Sequence, residues 1–179
     1  VVVTLTRDGR IRRAPAGARG GGNGAGPAEA VAQEVEADAG DGLLLFTAGG
    51  AVRALSVAEV PEAGAGRGRP LAELVRPGAG AVVAVVPVAD FRAGHLLFAT
   101  AHGYVKRTAL AHFAGARAGG AAIALEPGDR LLAVYPSGGR GDVVLVTRQG
   151  RAIRFAEAEV PALGRGARGV RGIRLRERD

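Results

Sequence analysis

One short pattern occurs four times in this chain, and that repetition constrains the fold more than any other feature. Val1–Arg13 reads VVVTLTRDGRIRR, Leu43–Leu55 reads LLLFTAGGAVRAL, Leu96–Arg107 reads LLFATAHGYVKR and Asp142–Phe155 reads DVVLVTRQGRAIRF. Each is an apolar run, a threonine, two residues, a glycine, and a second short run carrying Arg or Lys. The threonines are Thr6, Thr47, Thr100 and Thr147, and the glycines are Gly9, Gly50, Gly103 and Gly150.

The unit reads as a β-hairpin. Its first run is aliphatic and β-branched and is too short for a helix. Thr-x-x-Gly suits a tight turn, because glycine adopts the positive φ that such a turn needs. On the returning strand, Ile11, Val52, Val105 and Ile153 are expected to face inward. Arg12 or Arg13, Arg53, Lys106 or Arg107, and Arg154 then fall near one rim of each unit.

A second element follows each hairpin. Gly115–Leu125 reads GARAGGAAIAL and Gly164–Leu175 reads GRGARGVRGIRL, with Ala63–Val75 as a looser copy. Pro77-Gly78 and Pro127-Gly128 are turns that lead into VVAVVPV and LLAVYPS. Each repeat therefore holds about four strands in about 45–50 residues, the scale of one propeller blade. The expected fold is all-β: a propeller-like repeat domain of about four blades, each of four antiparallel strands. The expected blades are residues 1–42, 43–92, 93–139 and 140–179. Pro27–Ala39 has helical propensity, yet Val31, Val35 and Ala37 alternate with Glu34, Glu36 and Asp38. Its place in the repeat calls for a strand.

Composition narrows the function. Apolar residues make up 47% of the 179, which argues against disorder, and aromatics only 4%, so Val, Leu, Ile and Ala must fill the core. The net charge of +7 favours a polyanionic partner. Lys106 is the one lysine among 24 basic residues, so an arginine-rich codon bias can supply part of that charge. A protein-interaction scaffold is therefore the competing reading. With no cysteine there is no disulfide or thiolate metal site. No apolar run approaches the roughly 20 residues of a membrane helix, and no secretory signal is visible. A chain that opens Val1-Val2-Val3 and has no Met reads as a portion of a longer protein.

Catalytic patterns are weak. The glycine-rich loop near Gly20 lacks the Gly-Lys-Ser/Thr ending of a nucleotide-binding P-loop. His95, His102 and His112 lack metal-ligand spacing. Ser56 and Ser137 lack a nucleophile elbow. Tyr104 and Tyr135 read as packing residues.

Taken in order, the four segments resemble the C-terminal DNA-wrapping domain of type IIA topoisomerase A subunits, the family of the DNA gyrase and topoisomerase IV A subunits. The resemblance implies a β-pinwheel, in which neighbouring blades exchange strands and DNA bends around a basic perimeter. Gyrase-type members carry a Gln-Arg-Arg-Gly-Gly-Arg/Lys-Gly box in the first blade. Ala18-Arg19-Gly20-Gly21-Gly22-Asn23-Gly24 stands there, matching at Arg19, Gly21, Gly22 and Gly24 and lacking the other basic residues. That departure leaves the choice between gyrase and topoisomerase IV open. The implied partners are double-stranded DNA, the topoisomerase B subunit, and the rest of the A subunit, in the bacterial cytoplasm at the nucleoid. No cofactor is expected in this chain, since the cleaving tyrosine lies in a preceding domain and ATP, with Mg, is used elsewhere in the holoenzyme. The expected DNA contacts are Arg12, Arg13, Arg19, Gly21, Gly22, Gly24, Arg53, Lys106, Arg107, Arg117, Arg154, Arg165 and Arg168.

Overall fold

The computed structural model describes residues 1–17, 30–62, 68–75 and 80–176. The box residues Arg19, Gly21, Gly22 and Gly24 lie outside them. Among the described residues, fourteen strands form four sheets. The first hairpin is β1 (Val2–Thr6) with β2 (Arg10–Ala14), followed by β3 (Val31–Glu36). The second repeat holds β4 (Gly42–Thr47), β5 (Ala51–Ser56), β6 (Arg69–Pro70) and β7 (Val82–Val88). The third holds β8 (His95–Thr100), β9 (Tyr104–Ala109), β10 (Gly120–Ala121) and β11 (Leu131–Ser137). The fourth holds β12 (Asp142–Val146), β13 (Ala152–Ala156) and β14 (Val170–Arg171). No α-helix occurs among the described residues. Val31–Glu36 is a strand paired antiparallel with β1, as its alternation requires.

The four hairpin turns are copies of one another. In each, the threonine carbonyl accepts from the glycine N–H three residues on, at 2.9–3.0 Å. The threonine Oγ1 accepts from the next N–H, that of Arg10, Ala51, Tyr104 or Arg151, at 3.1–3.3 Å. All four glycines sit at φ between 76° and 82°, a conformation that a Cβ disfavours.

Each of the first three sheets is completed by the next repeat. The orders are β3-β1-β2-β6, β7-β4-β5-β10 and β11-β8-β9-β14, so β6, β10 and β14 each belong to the sheet before their own repeat. The fourth sheet is the pair β12-β13 among the described residues. β7 packs against both β3 and β11, so the sheets converge at that edge. The borrowed strands lie at the opposite edge.

The sheets stack face to face. Val3, Leu5 and Ile11 meet Leu43 and Leu45, while Leu44, Phe46 and Val52 meet Leu96 and Phe98. Phe46, Phe98 and Phe113 form an aromatic knot in that second seam, with centroids 5.5–6.1 Å apart. Val105, Val143 and Val160 fill the third seam. Ile11, Val52 and Val105 are buried as expected, but Ile153 is 40% exposed. Ile153 is the third residue after its turn glycine, whereas the others are second, and one residue along a strand reverses the face: it pairs with Leu145 on the side turned to the third blade, which leaves it partly uncovered. Tyr135 is likewise exposed at the surface, while Tyr104 is buried.

Candidate nucleic-acid interface

The basic residues divide by what their side chains touch. Lys106, expected on the rim, is fully buried. Its Nζ donates to the carbonyls of Ala122 at 2.8 Å, Gly164 at 2.9 Å and Arg165 at 3.1 Å, and stands 5.2 Å from the Phe98 ring centroid. Three donors meet three acceptors, which is the full capacity of an ammonium. Burial, and then the nearby charge of Arg165, push its pKa down to about 8. The third residue after the turn faces the preceding blade, so a long cation there is enclosed when that seam is tightly packed. Lys106 thus ties the second and third blades to the incoming fourth repeat and is removed from any DNA contact.

Arg13 and Arg107, the fourth residues after their turns, are clamps on the next repeat. Their Nε atoms donate to the carbonyls of Val60 at 2.7 Å and Val160 at 2.8 Å. Their backbone N–H groups donate to Pro61 at 2.9 Å and Pro161 at 3.0 Å. The matching Val-Pro pairs in repeats two and four explain the recurrence. At the seam between repeats two and three, Ala54 and Ala114 replace both members, and no such clamp forms.

The borrowed segment at the third blade collects the exposed charge. Arg165 donates from Nε to Ala121 O at 2.7 Å, and its guanidinium carbon lies 5.5 Å from the Phe113 ring centroid. Arg168 and Arg171 lie 4.6 and 4.9 Å from the Tyr104 ring centroid. An aromatic face beneath a guanidinium fixes its plane and leaves its outer N–H groups free to reach an anion. The chain enters β14 at Gly169, whose φ is 103° and where a Cβ would run into Val105 O. Only glycine lets the two backbones approach so closely.

The remaining candidates are scattered. Arg12 has no side-chain partner among the described residues, and Arg53 Nε is buried without one. Arg53 lines a cavity with Glu73, Gly119 and Gly120. Arg117 pairs with Glu59 at 3.6 Å, and Arg154 pairs with Asp142 of its own hairpin. The structure therefore places Arg168 and Arg171 on one tyrosine, holds Arg165 separately over Phe113, and leaves Arg12, Arg53, Arg117 and Arg154 as separate charges. Arg171 was missed in the sequence, although Arg165, Arg168, Arg171 and Arg174 recur every third residue. Among the described residues, no group of three or more His, Asp or Glu could hold a metal ion. No helix among them is long and apolar enough to cross a membrane.

Stacked hairpin sheets, the first three completed at one edge by a strand from the next repeat, define a strand-exchanged, propeller-like repeat domain with an arginine-bearing rim. Comparison with known proteins identifies the family. Residues 43–89, 94–137 and 141–179 match the family described as DNA gyrase C-terminal domain, beta-propeller. The DNA gyrase A subunit of Escherichia coli K12 is 38% identical over all of this chain, which spans 22% of that protein. The gyrase A subunit of Halalkalibacterium halodurans is also 38% identical, over 97% of the chain and 22% of its own length. The crystal structure of the C-terminal domain of DNA topoisomerase IV superimposes with a TM-score of 0.85 at 30% identity, over 99% of this chain and 58% of that one. A DNA gyrase A C-terminal domain shares the fold at TM-score 0.71 and 20% identity, over 98% of this chain and 61% of that one. This chain belongs to the DNA gyrase C-terminal domain family.

Proposed function

We propose that this domain binds double-stranded DNA without reading its bases and bends it along the borrowed-strand edge of the blades, as a non-catalytic part of a type II DNA topoisomerase. The observation that carries this reading is the row Arg165, Arg168 and Arg171 on a borrowed outer segment, two of them stacked on Tyr104. A duplex presents one negative charge per ~1.7 Å, and arginines at blade spacing can follow its phosphates through a bend. Arg12, Arg53, Arg117 and Arg154 extend the track on other blades, and Arg19 with Gly21, Gly22 and Gly24 adds the box. The gyrase relatives support three partners: DNA, the remaining domains of the A subunit, and a B subunit. On this reading the ATP and Mg of the holoenzyme are handled outside this domain, and the protein works on the bacterial nucleoid. Because the box keeps one of three basic residues, supercoiling and decatenation are equally consistent with it.

Gel shifts with random-sequence duplex at two salt concentrations test the reading. About six phosphate contacts give a log–log salt slope near −5. Affinity that is flat with salt removes DNA binding and leaves a protein-interaction scaffold.

A further inference from the structure

The exposed arginines of the third blade are not free. Tyr104, 5% exposed, donates its hydroxyl to Glu126 Oε1 at 3.1 Å. The same oxygen accepts from Arg168 Nη1. Arg171 Nη2 donates to the tyrosine oxygen at 2.6 Å. One carboxylate thus closes a cluster of one tyrosine and two guanidiniums.

Glu126 is held there by its backbone. It opens the turn Glu126-Pro127-Gly128-Asp129, closed by Asp129 N–H donating to Glu126 O at 3.0 Å, with Gly128 at φ 80°. Asp129 Oδ1 accepts from the N–H groups of His102 at 2.8 Å and Arg130 at 2.7 Å, pinning the turn to the β8–β9 hairpin. A turn fixed at both ends presents the carboxylate to Arg168 without further ordering. The ion pair is open to solvent, with side-chain exposures of 46% for Arg168 and 35% for Glu126. Such a pair is weak and replaceable. The Tyr104 ring is buried, and it keeps orienting both guanidiniums when the carboxylate leaves.

We infer that Glu126 is a built-in competitor for DNA phosphate. It neutralises Arg168 in the free domain and is displaced by phosphate on binding, while Tyr104 acts as the positioning residue for Arg168 and Arg171. This rests on the DNA-binding reading. It deepens that reading by naming a contact that must break, and its expected consequence is the opposite of a lost contact: removing a side chain strengthens binding.

The test is a double-mutant cycle on the full chain, read by duplex affinity at low salt. Glu126→Gln keeps acceptors for Tyr104 and Arg168 and removes the charge. It tightens binding about two- to fivefold, the worth of one exposed ion pair. In an Arg168→Ala background the gain disappears, because the competed group is gone. Glu126→Ala, checked for an unchanged melting temperature, shows the same gain and guards against an effect peculiar to the amide. A wild-type chain that binds DNA with no gain from either variant overturns the inference. So does a gain that persists in full without Arg168, since that is a net-charge effect. Failure of the wild-type chain to bind removes the DNA-binding reading and this inference together.

Discussion

The side-chain amide of Gln33 closes a two-point contact on the backbone of Val85. Its Nε2 donates to Val85 O at 2.8 Å, and its Oε1 accepts from Val85 N–H at 3.0 Å. Gln33 lies on β3 of the first sheet and Val85 on β7 of the second, so the amide acts as one strand residue across the converging edge. Gln33→Leu leaves both Val85 groups without their partner. We expect a loss of about 2 kcal/mol, because unmade bonds to buried groups cost about 1–3 kcal/mol each. Urea unfolding checks this by a lower midpoint at unchanged slope.

Lys106 gives the stability a pH signature. The folded chain holds this proton only up to about pH 8, the unfolded chain up to its ordinary pKa of 10.5. Between those values the unfolded state binds more protons, so stability rises with pH. Lys106→Met removes that rise. It also leaves the carbonyls of Ala122, Gly164 and Arg165 without a donor, for a loss of about 3 kcal/mol at neutral pH. Thermal melts of both chains from pH 7 to 10.5 check the two effects together.

The division between clamps and proposed DNA contacts separates two measurable quantities. Arg107→Ala frees Val160 O and lowers the melting temperature, with the salt slope of DNA binding unchanged. Arg168→Ala leaves the melting temperature within a few degrees and reduces the magnitude of the slope by about one. If Arg107→Ala changes the slope as Arg168→Ala does, the assignment of Arg107 to structure fails.

Gly169→Ala places a methyl against Val105 O at a φ of 103°. The borrowed strand cannot then seat on β9. We expect a loss of more than about 2 kcal/mol. Amide exchange should report it first at Val170 and Arg171. Gly164→Ala, where a Cβ meets nothing within 4 Å, is the control and should be nearly neutral.

Bending makes duplex length matter. Curving a 20–30 base-pair site costs about 1–6 kcal/mol, recovered only if several blades are reached. A duplex of about ten base pairs should therefore bind much more weakly than one long enough to span all four hairpins. Fluorescence anisotropy over a length series checks this, and equal affinities would argue against wrapping.

The repeat was legible because it is local. Thr-x-x-Gly needs a threonine hydroxyl and a positive φ within five residues, and all four copies form the same turn. The three-residue arginine spacing of Arg165 to Arg174 is just as local, yet Arg171 was missed, because the spacing carries no position. What each cation touches was decided by tertiary packing. Arg12, Arg53 and Lys106 occupy one place in the repeat, yet only Lys106 has its three carbonyls, because Phe98 and the fourth repeat close over it. Arg13 and Arg107 became clamps because Val60-Pro61 and Val160-Pro161, more than 40 residues away, come alongside them. Ile153 changed face through one residue of offset. A sequence determines its own strand and turn preferences, which act over a few neighbours. Whether a charge meets solvent, a carbonyl or a carboxylate is decided only when strands are exchanged between repeats, since the groups that enclose it come from another blade.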